Sequence, residues 1–156
     1  MSVRTRISPG SASSPGADVY LVDTDVISEA RKGPRAHSGV REFFADAGRR
    51  GAALYLSAVA IGELRQGVER IRHRGDAVQA RRLERWLGEV TTQYAESILP
   101  IDAEVAEVWG RLRVPSADNP LDKQIAATAL IYGLVVVTRN IAHFAPTGVQ
   151  VHDPFA

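Results

Sequence analysis

The sequence predicts an α/β domain, a three-layer α/β/α sandwich around a central, mainly parallel sheet. Short β-prone runs alternate along the chain with longer segments of helical periodicity, which is the pattern of βαβ units. One of those runs, Leu134-Val135-Val136-Val137, is continuously apolar, as expected of a strand buried on both faces. Composition agrees: of 156 residues, 45% are hydrophobic and 24% charged, ordinary for one globular domain. At this length folding buries roughly two-thirds of the unfolded surface, enough for a core without covalent staples.

Organised patterning begins at Val19. Residues 1–18, rich in Ser, Gly and Pro, are expected to form a disordered tail, and residues 19–156 the folded domain. Val19-Tyr20-Leu21-Val22 reads as the first strand. Asp23-Thr24-Asp25 ends it and opens a helix to about Lys32, broken by Gly33-Pro34. Val40, Phe43 and Phe44 share one face of a second helix ending near Gly51. Leu54-Tyr55-Leu56 is the second strand. Ser57 then caps a long helix carrying Val59, Ile61, Leu64, Val68 and Ile71. After Gly75 a further helix places Leu83, Trp86, Leu87 and Val90 three or four apart. Residues 98–101 form a weaker strand, and Asp102 caps a helix bearing Val105, Val108, Trp109 and Leu112. Asn119-Pro120 starts the next helix, because proline suits the first helical position, and Gly133 stops it after Tyr132. The strand at 134–137, a short piece at 141–144 and a last strand near 149–151 complete the chain.

Composition also excludes functions. There is no cysteine, which removes disulfides, thiolate catalysis and Cys-based metal sites. Lys+Arg is 19 against 18 for Asp+Glu, net +1, so any nucleic-acid contact rests on local patches. No apolar run reaches the length of a membrane span, and Arg4 and Arg6 are not followed by the apolar stretch of a signal peptide. The chain is expected to be cytoplasmic.

Ligands of open parallel sheets bind beyond the carboxyl ends of the strands. Asp23 sits at such an end, where an aspartate serves equally well as a helix cap. Asp122 is the third residue of a helix starting at Pro120, a position the helix dipole favours. Its projection falls between Ala126 and Ala129, on the stripe facing the sheet, where a charge is costly unless paired or metal-bound. Glu63 lies at the edge of its helix's apolar stripe; the plain alternative is a solvated Glu paired with Arg65 or Arg70. Asp102 and Asp118 read as helix starts. Separations of 40 residues (Asp23 to Glu63) and 59 (Glu63 to Asp122) let a parallel sheet gather these three acids at one edge. Clustered carboxylates repel unless a hard cation neutralises them, and oxygen-only ligation favours Mg²⁺ or Mn²⁺ over zinc. The chemistry such a site suits is metal-assisted phosphodiester hydrolysis.

Four segments taken in order carry a more specific signal. Residues 20–28 read YLVDTDVIS, 56–67 LSAVAIGELRQG, 120–129 PLDKQIAATA and 136–144 VVTRNIAHF. Together they resemble the PIN-domain ribonucleases, and within them the VapC- and FitB-type toxins of bacterial toxin–antitoxin pairs. The resemblance runs from about residue 19 to the closing His152-Asp153-Pro154-Phe155. It implies a PIN-like sandwich whose metal site is Asp23, Glu63 and Asp122, with Asn140 at a fourth catalytic position where many relatives carry Asp. The amide removes one possible negative charge from the site. Asp25 stands where relatives often have Asn and is read as helix-start chemistry, not as a ligand. Thr24 and Thr138 flank the site and are candidates to hydrogen-bond a carboxylate or water. Asp23 and Asp122 would bind Mg²⁺ directly, and Glu63 would hold a metal water or help a second ion. The resemblance further implies an RNA substrate, a VapB-like antitoxin covering the acidic site, and a homodimer or larger assembly.

Residues 65–85 contain seven arginines against three acids. Solvated helix faces account for such a run; phosphate contact by Arg65, Arg81 and Arg82 is the functional alternative. Leu83, Trp86 and Leu87 suit core packing, a dimer or an antitoxin helix. The four histidines (37, 73, 143 and 152) show no ligand spacing and receive no chemical role. Two rival functions stand beside the nuclease. One is a HAD-like phosphatase using Asp23 and Asp25, since Asp23-Thr24-Asp25 imitates that family's nucleophile motif. The other is a catalytically weak PIN fold that only binds RNA or protein, a reading Asn140 keeps open.

Overall fold

The computed structural model describes residues 19–156; the tail expected over residues 1–18 lies outside the described residues. In chain order the elements are β1 (Val19–Val22), α1 (Thr24–Ala30), α2 (Ser38–Arg50), β2 (Ala53–Ser57), α3 (Ala58–His73), α4 (Ala77–Gln93), β3 (Ile98–Leu99), α5 (Ala103–Leu112), α6 (Pro120–Tyr132), β4 (Val135–Val137), α7 (Ile141–Phe144) and β5 (Val151–His152). Single 3₁₀ turns at Gly33–Arg35 and Ala145–Thr147 punctuate the connections. The strands form one sheet in the order β3-β2-β1-β4-β5. Each described pairing is parallel, so the sheet is more uniform than the mixed possibility the sequence left open.

Side-chain alternation along each strand divides the core in two. Val22, Leu56 and Val137 face the cluster built with Val26 and Ile27 of α1, Val40 and Phe43 of α2, Leu64 and Val68 of α3, and Leu87 and Val90 of α4. Their neighbours Leu21 and Val136 face the opposite way, against Ile125, Ala126 and Ala129 of α6 and Phe144 of α7. Helices α1–α4 thus cover one face and α6–α7 the other, which is the expected three-layer sandwich. Val136 and Val137 are both fully buried, as their continuous apolar run requires.

Boundaries follow local chemistry. β3 stops at Leu99, short of the expected 101, because Pro100 has no N–H for the ladder. The last strand falls at 151–152, not 149–151, because the Val149 N–H is turned back onto the Thr147 hydroxyl. The Ser57 hydroxyl accepts the Val59 N–H at 3.1 Å, and Asp102 accepts the Val105 N–H at 3.0 Å, both as expected caps. Asp118 does not cap α6. That place is taken by Asn119 with φ 52°, which makes no side-chain cap bond, and Pro120 supplies the first helical position instead. Gly133 ends α6 at φ 68°, a left-handed conformation that glycine adopts without steric cost. No helix among the described residues is long and apolar enough to cross a membrane.

Candidate active site

β1 lies at the centre of the sheet, with β2 and β3 on one side and β4 and β5 on the other. The chain therefore winds outward from β1 in one direction and returns to wind in the other. The carboxyl ends of β1 and β4 flank this reversal, the position at which open parallel sheets generally place ligands. Asp23 immediately follows β1. Glu63 stands in the second turn of α3, which leaves β2 directly at Ser57. Asp122 is in the first turn of α6, and Asn140 precedes α7 just after β4.

Asp23 is 2% exposed and serves in two capacities. Its Oδ1 accepts the Thr24 N–H at 2.8 Å, capping α1, while its Oδ2 accepts the Thr138 hydroxyl at 2.8 Å across the β1–β4 junction. Its own N–H donates to the Val137 carbonyl at 2.9 Å. Burial, then the charge of Asp25 and to a lesser degree Asp122, pushes its carboxyl up to about 7, against the lowering pull of Thr138 and Thr24.

Glu63 is half-buried, and its Oε1 accepts the Thr24 hydroxyl at 2.8 Å. It pairs with neither Arg65 nor Arg70, so the solvated ion-pair alternative does not hold. Burial raises its carboxyl and the Thr24 bond opposes this, while Asp122 and Asp25 add repulsion. Asp122 Oδ2 lies 2.7 Å from Nδ1 of His143 on α7. Thr24 and Thr138, the flanking hydroxyls, thus do bond carboxylates. Asn140 joins the site through its backbone: its N–H donates at 2.9 Å to the Thr138 hydroxyl that donates to Asp23.

Asp25 is more than a helix-start residue. Its Oδ2 accepts the Arg139 N–H at 3.0 Å, tying α1 to the β4–α7 loop, and its Oδ1 is buried with no hydrogen-bond partner among the described residues. Burial raises its carboxyl, opposed chiefly by the Arg139 and Val26 N–H groups. A general acid of the phosphatase kind needs a side chain free to deliver a proton to substrate. Asp25 instead commits its Oδ2 to the Arg139 N–H, and its Oδ1 is buried, so the phosphatase reading is not favoured.

Asp23 and Glu63 each feel the charges of Asp122 and Asp25 at this edge. They do not form a preassembled cage: among the described residues, no three acidic or imidazole side chains stand close enough to hold one ion together. Each of the three carboxylates, Asp23, Glu63 and Asp122, is instead bonded within the protein, to Thr138, Thr24 and His143 respectively. The donor chemistry, and not a preformed cage, is what a hydrated cation such as Mg²⁺ would require here. That ion keeps several waters and takes only one or two carboxylates, whereas a dehydrated site would need more. The all-oxygen donors and the unpartnered Asp25 Oδ1 suit a hard cation for the same reason.

The arginine run separates into two groups. Arg65 bonds Glu84 at 2.7 Å, and Arg72 bonds Glu84 at 3.0 Å and also Glu69, an ion-pair lattice between α3 and α4. Arg65 is therefore occupied. Arg81 and Arg82 are exposed on α4. Leu87 is buried, while Leu83 and Trp86 pack against the core from its border. Sequence reasoning missed His143 and under-read Asp25. His143 meets a partner 21 residues away, so no local spacing reveals it; its place in the one-turn helix directly after β4 was the available signal.

A parallel sheet that collects carboxylates at its reversal point defines an α/β domain with an acidic edge site. The PIN domain model matches residues 20–146, and the chain belongs to that family. It is 30% identical over 143 residues to the VapC ribonuclease Y4jK of Sinorhizobium fredii, covering 88% of this chain and 98% of that one. It is 31% identical over 143 residues to toxin FitB of Neisseria gonorrhoeae, covering 88% and 99%. The FitAcB crystal structure from Neisseria gonorrhoeae superposes with a TM-score of 0.68 at 30% identity, over 87% of this chain and 98% of that one.

Proposed function

We propose that this chain is a Mg²⁺-dependent endoribonuclease acting in the cytoplasm as the toxin of a toxin–antitoxin pair. What supports the reading is that the buried Asp23 lies within reach of the charge of Asp122, and that Glu63 bonds Thr24, the residue next to Asp23. Family membership and relatives named as ribonuclease and toxin support it.

Asp23 and Asp122 would hold the ion, and Glu63 would hold one of its waters or assist a second ion; Mn²⁺ would substitute. When bound, the metal acidifies a water and stabilises charge on the scissile phosphate. Thr138 and Thr24 fix the carboxylates of Asp23 and Glu63, so that reorganisation during reaction is small. Asn140 contributes a neutral amide at the fourth position. Arg81 and Arg82 would meet the RNA backbone, where guanidinium groups position a strand without reading bases.

A VapB-like antitoxin and a homodimer or larger toxin–antitoxin assembly belong to the same proposal. Two clefts of about 200 and 190 Å³ adjoin between α1 and α4, sharing Arg31 and Trp86. The second extends to Thr24 and Glu63, so an apolar partner segment lying there would reach the acidic edge.

Cleavage of single-stranded RNA tests the reading. Activity should require Mg²⁺ or Mn²⁺, vanish in excess EDTA, and fall by several orders of magnitude in Asp23→Ala and Asp122→Asn. RNA binding without cleavage in the wild type would favour the catalytically weak PIN fold, and activity surviving in EDTA would refute the metal mechanism.

A further inference from the structure

Each acid of the site is held by one donor from a neighbouring element: Asp23 by Thr138, Glu63 by Thr24 and Asp122 by His143. The third of these clamps differs in kind. A hydroxyl rotates freely, whereas an imidazole presents its nitrogen in a direction fixed by the ring. Nδ1 faces Asp122 Oδ2 at 2.7 Å, a distance at which a protonated ring nitrogen donates to a carboxylate oxygen. The backbone carrying the ring is anchored. His143 is followed by Phe144, which is fully buried in the α6 side of the core, and the His143 backbone N–H donates to the Asn140 carbonyl at 3.0 Å. α7 thereby links the Asn140 loop to the first turn of α6.

We infer that His143 is a positioning residue: its Nδ1–H engages Asp122 Oδ2 and leaves Oδ1 as the atom that binds the divalent cation. The inference rests on the metal reading above and adds a residue to it. Monodentate ligation by an oriented carboxylate suits a hydrated Mg²⁺, which demands near-ideal geometry. Partners that orient a ligand in this way typically change metal affinity by about 10–100-fold when removed.

Direct Mn²⁺ binding to the intact chain, measured by calorimetry or by the spectrum of free Mn²⁺, tests this. His143→Phe keeps the ring's bulk but has no donor, and His143→Asn places an amide N–H near the position of Nδ1. His143 is partly exposed, so neither change opens a core cavity, and metal-free melting curves check that both variants fold. Phe should weaken Mn²⁺ binding by about 10–100-fold, and Asn should restore most of the loss. Equal affinity in wild type and Phe, or Asn as weak as Phe, overturns the positioning role alone. A wild type that does not bind Mn²⁺ overturns both this role and the metal site.

Discussion

Asp23 holds its proton to higher pH than an aspartate in water. Its carboxyl is pushed up to about 7 from the usual 3.8, principally because it is buried. The linkage has a definite sign. Below about pH 4 the group is protonated in both folded and unfolded chains. Between that pH and about 7 only the folded form holds the proton, so stability is progressively lost as pH rises through the window. Asp23→Asn removes the titration while leaving an acceptor for the Thr24 N–H and a donor for the Thr138 oxygen. In EDTA the variant should therefore be more stable than wild type at pH 8, by at most about 4 kcal/mol, with the gap closing toward pH 4. Urea melts at the two pH values measure this. A gap that does not change with pH would mean that Asp23 ionises normally.

At the level of elements, the site depends on short pieces being fixed in place. β4 has three residues and α7 four, and neither is stable alone. The Asp25 carboxylate on the Arg139 N–H, the Thr138 hydroxyl on Asp23 and the buried Phe144 ring hold them. The C-terminal segment is fixed against α2 by close backbone approach. A Cβ on Gly39 would stand 1.9 Å from the Pro154 carbonyl oxygen, a contact that requires backbone to move. Gly39→Ala should thus destabilise by about 1–3 kcal/mol although alanine favours a helix. Thermal melts check it; a neutral or stabilising result would show that the C-terminus yields freely.

For the molecule as a whole, net charge is nearly balanced, so the proposed RNA binding would depend on where cations are free and not on how many there are. The α3–α4 lattice commits Arg65 and Arg72 to Glu69 and Glu84, while Arg81 and Arg82 stay exposed. Replacing both by Ala should weaken RNA binding and flatten its salt dependence by up to about 1–2 in log–log slope. Arg65→Ala should change the slope less. Filter-binding titrations across salt concentrations decide this, and an unchanged slope in the double variant would leave the run as a solvated face.

Much of this was legible in one dimension, because periodicity and strand-end position are local properties. The alternation of strands and helices, the caps Ser57 and Asp102, the stop at Gly133, and Asp23, Glu63 and Asp122 as candidates all follow from the sequence. Long-range bonds are not local. That Glu63 meets Thr24 and not an arginine, that Asp25 holds a loop 114 residues away, and that His143 reaches Asp122 depends on how β1, α1, α3, α6 and α7 come together in space. The residue pattern determined which side chains reach the edge of the sheet. Only the packed structure decided which donor each carboxylate faces, because hydrogen bonds are directional over about 3 Å whereas hydrophobic patterning is not.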